Sequence, residues 1–187
     1  KEAELELLHR QEQIIKSRER EHALRIIVDI IRSSLDIDEI KEKVVNEIGK
    51  YFNANRCFIY EFGEAIKSGI YKEYVSSPKV KRMSEVDFEQ PQFKYWRNFI
   101  LDDNLESRII IPDLNRYIIE NNLIGTPMEE HIREFNIKTD IRMPIIYADE
   151  LYGRLAIQYT EKNVNLEMQD IDFLKDLVAQ VGIAIGI

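Results

Sequence analysis

Over the first two dozen positions the apolar residues are sparse; after that they become regular. Charged side chains dominate up to Glu21, with no Gly or Pro, and Leu5, Leu8 and Ile15 fall near heptad spacing. Glu12, Glu19 and His22 occupy the other seam positions, so the coiled-coil pattern is diluted. From Leu24 two stripes emerge: Leu24, Ile27, Ile31 and Leu35 on one side, Ile26 and Ile30 on another. This predicts one long helix over residues 1–34. A helix apolar on two sides buries both: one against its own domain, the other against a second copy of the chain.

Ser34 or Asp36 can cap a second helix, Ile37 to Phe52, with Ile40, Val44, Val45 and Ile48 inward. Strands are expected at Arg56–Phe62, at about Ile70–Val75 and at Arg108–Ile111, with loops around a short helix over residues 79–105. After the Asn121–Thr126 loop, Pro127 suits the first turn of a helix running to Phe135, with Glu129 and Glu130 near its positive end. Thr139–Tyr147 and Leu151–Thr160 read as a hairpin turning at Ala148, Asp149 and Glu150. A last helix, capped by Asn165, carries Ile171, Leu174, Val178, Val181 and Ile185 at three-four spacing, with Phe173, Leu177 and Ala184 beside them. The order implies an α+β fold: a central antiparallel sheet, the terminal helices on one face, and a pocket covered by loops and the short helix on the other. The divisions are a signalling helix at 1–34 and a domain at 24–187, with both chain ends expected to continue into a longer protein. Two-sided terminal helices predict a homodimer with Ile26, Ile30, Val181 and Ile185 at the interface.

Strand alternation sorts the hairpin residues. Ile141, Met143, Ile145, Leu155 and Ile157 form a uniformly apolar set suited to packing under the terminal helices, which leaves Arg142 and Gln158 on the pocket side. An arginine in a concave site can hold a carboxylate or phosphate, or simply pair with Asp113, Glu129 or Glu134. His131 lies on the helix that would roof the pocket. Trp96, Tyr95 and Phe99 either line the pocket or pack down their loop. Asp113, Tyr117 and Met128 complete the candidate ligand contacts.

The chain of 187 residues has a formal net charge of −8, which argues against a nucleic-acid surface. Cys57 is the one cysteine, as expected of a reducing, cytoplasmic setting. It reads as a small core residue or a thiol sensor, without the partner thiol that disulfide chemistry needs. No apolar run approaches the roughly 20 residues of a membrane span. The histidines lack metal-site spacing, the glycines match no phosphate loop, and no catalytic set stands out, so neither a metal site nor an enzyme is expected.

The run DIDEIKEKVVNEIGKYFNANRCFIYEF (Asp36–Phe62) resembles the opening of a GAF domain. IPDLNRYIIENNLIGTPMEEHIREFNIKTDIRMPIIYADELYGRLAIQYTEKN (Ile111–Asn163) and FLKDLVAQVGIAIGI (Phe173–Ile187) are similar to the GAF domains of phytochromes and cyanobacteriochromes. The resemblance spans about residues 24–187. It implies a sensory or regulatory module of a signalling protein: a small molecule held in a pocket, flanking helices, and an output domain such as a histidine kinase, cyclic-dinucleotide synthase or transcription activator. A ligand-free dimerisation and relay module is the alternative. Those photoreceptors attach a bilin to a Cys just before the short helix. Here that place reads Thr126-Pro127-Met128-Glu129, so no covalent bilin is expected. Any ligand is expected to be anionic and to touch Arg142.

Overall fold

The computed structural model describes residues 1–61, 69–85 and 108–186; Trp96, Tyr95 and Phe99 fall outside them. Five helices and five strands lie among these residues: α1 (Glu2–Ser33), α2 (Ile37–Tyr51), β1 (Arg56–Glu61), β2 (Gly69–Val75), β3 (Ile109–Ile111), α3 (Leu114–Glu120), α4 (Pro127–Glu134), β4 (Thr139–Tyr147), β5 (Glu150–Tyr159) and α5 (Met168–Ile185). The strands form one antiparallel sheet in the order β2-β1-β5-β4-β3. The α+β expectation holds.

Period-two alternation decides what each sheet face packs against. Cys57, Ile59, Ile141, Met143, Ile145, Leu155 and Ile157 point to one side and join α1, α2 and α5 in the larger core. Phe58, Tyr60 and Ala156 point to the other and join α3 and α4 through Leu114, Ile118, Met128, Ile132 and Phe135. Gly182 lets α5 lie against β4, because a Cβ there would meet the Ile146 carbonyl oxygen at 2.3 Å.

Several local expectations change. The chain leaves the helical conformation at Ser34 (φ −140°, ψ 149°), so Leu35 drops out of its stripe and is fully exposed. Asp36 is the N-cap of α2, accepting from the Asp38 and Glu39 backbone N–H groups. Helix α3 was not foreseen, although Asp113 caps it and Leu114 and Ile118 point inward. The hairpin turn is two residues, Ala148 (φ 48°) and Asp149 (φ 64°), with Glu150 already paired to Tyr147. A register shift at Ile145/Ile146 leaves Tyr152 without a partner on β4, on the opposite face from Arg154 and Gln158 despite its even number; it packs on the helical core. Helix α5 starts at Met168 rather than beside Asn165. The stretch before it is tied down by the Val164 N–H donating to Thr139 Oγ1, and Val164 and Leu166 pack on the core.

The dimer residues also move. Val181 is 0% exposed within the single chain, clamped in the helical core. Ile30 and Ile185 pack against the same core. Both apolar stripes of α5 are therefore covered by the chain's own sheet, α1 and α2, since two helices share that face. Val181 cannot meet a second copy. On α1 the exposed apolar residues are at its outer end, Leu5, Leu7, Leu8, Ile14 and Ile15, and on α5 Met168 and Ile183 are exposed outside the two stripes.

Lys41 of α2 is buried with Glu61 of β1, Nζ 2.5 Å from Oε1, and donates to the Tyr152 hydroxyl at 2.9 Å. Removing one member of such a pair strands the other charge. Lys41→Ala is expected to destabilise the fold by about 3–5 kcal/mol, and Lys41→Met with Glu61→Leu to recover most of that loss. Urea unfolding of the two variants checks it; equal losses would show that the pairing itself contributes nothing.

Candidate functional site

The candidate site is the sheet face under α3 and α4, where strand pairing sets polar side chains in rows. One row runs Val75–Arg56–Gln158–Asp140–Ile111; the next runs Glu73–Phe58–Ala156–Arg142–Ile109. Arg154 stands in a third row, between Tyr60 and Pro144. Arg56, Asp140, Arg142, Arg154 and Gln158 are all buried.

Arg56 ties this face together. Its Nε donates to the Lys81 carbonyl at 2.9 Å, Nη1 to Gln158 Oε1 at 2.7 Å, and Nη2 to the Phe135 carbonyl at 3.1 Å at the end of α4. Its guanidinium lies 5.5 Å from the Phe135 ring centroid. Burial lowers its pKa to about 10, against the opposing pull of Glu73 and Asp140, so it keeps its charge at neutral pH. The buried Glu73 carboxylate, 3.9 Å from Arg56, in turn accepts from the Met83 and Ser84 backbone N–H groups and the Ser84 hydroxyl. Opposite charges thus hold the 81–84 segment against the sheet.

Arg142 faces the predicted side, but its partner is none of the three expected acids. Its Nε and Nη2 both donate to Oδ2 of Asp140, at 2.9 and 2.8 Å, two residues earlier on the same strand face. Asp113 is spent on the α3 cap, accepting from the Arg116 N–H at 3.0 Å. Glu129 pairs with Arg133 on α4, and Glu134 with Lys81. Met128 is 0% exposed within the second core. Tyr117 packs at the edge of that core. Of the candidate contacts, the fold therefore brings His131, Arg142 and Gln158 together in one region, with Met128 beneath α4 and Asp113 turned to a capping role.

Sequence reasoning missed Arg56, Glu73 and Asp140. The signal was present: an acid or arginine inside an otherwise apolar strand, on the same parity as a charge one strand away. Cys57 is buried in the helical core, where desolvation pushes its thiol pKa up; it is a core residue. A cleft of about 610 Å³ lies on the opposite, helical side, lined by Glu19, His22 and Ile26 of α1 and by Tyr51 and Phe52. Its rim charges Lys50 and Asp170 pair with Glu47 and Arg20.

His131 is buried on α4, its ring 4.8 Å from that of Phe135. Burial, then the charges of Arg142, Arg56 and Lys81, hold its pKa down from 6.5 to about 3. Native His131 is neutral at pH 7. The unfolded chain takes up the proton first, so the stability this group contributes is complete above about pH 6.5 and is lost as pH falls toward 3. The loss reaches up to about 1.4 kcal/mol per pH unit for one proton. Urea midpoints between pH 7 and 4 should fall more steeply for the native chain than for His131→Gln; parallel slopes would assign the acid sensitivity to another group.

A family model described as GAF domain matches residues 36–185. Among solved structures, the phycoerythrobilin-bound GAF domain of a cyanobacterial phytochrome is similar at TM-score 0.68 and 19% identity, over 90% of this chain and 95% of that one. The GAF domain of the cyanobacteriochrome TePixJ gives 0.66 and 15%, over 83% and 92%. The GAF domain of an Acinetobacter phosphoenolpyruvate-protein phosphotransferase gives 0.59 and 15%, over 88% and 91%. At these identities the likeness is one of fold. No curated protein matches the chain.

Proposed function

The chain belongs to the GAF domain family, whose members are sensory and regulatory modules of signalling proteins, and from that premise we propose that it binds a small molecule non-covalently between the sheet and helices α3 and α4. The observation that carries this reading is the buried layer Arg56, Gln158, Asp140 and Arg142. A face selected for stability alone would be apolar, because replacing buried ion pairs by packed hydrophobic groups is often neutral or stabilising. Buried, charge-matched groups gathered on one face of a sheet are what recognition requires. We assign no catalysis and no covalent bilin to this chain, since a thioether at Met128 has no thiolate to offer. Mass spectrometry of protein purified without denaturation should show a mass excess that disappears on unfolding. A native mass equal to the bare chain would favour the ligand-free relay, which the tight packing of Met128, Ile132 and Phe135 on the same face supports.

The reading extends to a cytoplasmic homodimer that relays ligand state to an output domain of the same chain, whether histidine kinase, cyclic-dinucleotide synthase or transcription activator. Among the described residues no helix is long and apolar enough to cross a membrane. The exposed Leu5, Leu8 and Ile15 continue in three-four spacing through Glu19, His22 and Ile26, which line the α1 cleft. A parallel partner helix would cover this seam, and sliding or twisting of the pair would carry the signal. Sedimentation at tens of micromolar should give a dimer that Leu8→Glu with Ile15→Glu dissociates while the sheet stays folded; a monomeric native chain would remove the relay.

A further inference from the structure

Two buried polar atoms on the candidate face carry no hydrogen bond: Nε2 of Gln158 and Oδ1 of Asp140. Both residues are 0% exposed. They are direct partners across β5 and β4, so their side chains share one face with Cβ atoms about 4.5–5.5 Å apart. Their roles are fixed by the arginines beside them. Arg56 Nη1 donates to Gln158 Oε1 at 2.7 Å, which turns the amide so that its nitrogen faces away from Arg56. Arg142 takes Asp140 Oδ2 with both Nε and Nη2, which leaves Oδ1 over. The amide nitrogen can only donate and the carboxylate oxygen can only accept. A buried donor and acceptor left unmade are costly, and here two arginines hold them in that state side by side.

We infer that Gln158 and Asp140 form a recognition element for a neutral ligand edge in which an N–H donor adjoins a C=O acceptor, the edge of a cyclic amide. The inference rests on the sensor reading above and names its ligand class. The ligand C=O accepts from Gln158 Nε2 while its N–H donates to Asp140 Oδ1. A carboxylate has no donor for Asp140, and a carboxylate or phosphate alike sets a second negative charge against it. An ammonium has no acceptor for Gln158. The expectation of an anion on Arg142 therefore gives way, because Asp140 already neutralises that guanidinium.

The test uses the whole chain, labelled with nitrogen-15, titrated with 2-pyridone and with N-methyl-2-pyridone, which keeps the ring and carbonyl but lacks the N–H. The Gln158 side-chain amide signal, assigned from its contacts to Arg56 and from its loss in Gln158→Glu, is the readout and needs no variant in the titration itself. A saturable shift with 2-pyridone, weakened about tenfold or more by N-methylation, is the expected result, given the strength of a hydrogen bond to a charged group. Equal affinity for the two probes, no response of the Gln158 signal, or a long-lived water at that amide which 2-pyridone does not displace would each overturn the inference. A native ligand found by mass to lack a cyclic amide would overturn it while leaving the sensor reading intact; a ligand-free native chain that also ignores 2-pyridone would remove both.

Discussion

Both faces of the five-stranded sheet are covered, so every charge on either face has to be matched inside the protein. On the face under α1, α2 and α5 the strands answer with aliphatic side chains, and the charges that do enter, Lys41 and Glu61, sit at its margin and pair with each other. On the face under α3 and α4 the same strands present arginines and acids in register. Arg56 is the pivot of that second face. One guanidinium reaches the sheet at Gln158, the end of α4 at Phe135 and the loop at Lys81. Desolvating it costs several kcal/mol, and three hydrogen bonds with a nearby carboxylate are what make its burial tolerable.

That asymmetry distinguishes the two cores. The helical core is continuous from Ile27 through Val181 and holds α1 to the domain. The opposite face mixes a compact apolar cluster with a polar layer, and α4 touches both: Met128 and Ile132 in the cluster, His131 near the arginines. The end of β5 next to that layer pairs with β1 and β4, and both of those strands back onto the helical core. A single sheet thus joins the polar layer on one face to the core that holds α1 and α5 on the other.

The clasp between the terminal helices is electrostatic. Arg20 of α1 bonds Asp170 and Gln169 at the start of α5, and Lys16 lies 3.6 Å from Glu167. These acidic groups also suit the positive end of the α5 dipole. Beyond this clasp α1 leaves the domain with Leu5, Leu7, Leu8, Ile14 and Ile15 uncovered, whereas Val181 is fully enclosed by its own chain.

The sequence by itself determined the element order apart from α3, the antiparallel sheet, most of the sorting of β4 and β5 into an apolar and a polar face, and the family. Those features follow from local rules: period-two alternation at Ile141–Ile145, the Asp36 and Thr126 caps, and Pro127 at a helix start. Boundaries and partners were decided only by the tertiary structure. Asn165 lost its cap because Val164 and Leu166 were needed in the core. Tyr152 breaks the alternation of β5 because of a register shift between strands, which is invisible in either strand alone. Arg142 found Asp140 rather than Asp113, Glu129 or Glu134 because each of those acids met a nearer partner. Val181 was withdrawn from the surface because α5 is packed by α1 and α2 as well as by the sheet. In each case the local pattern fixed which side chains must be buried or paired, and long-range packing fixed with what.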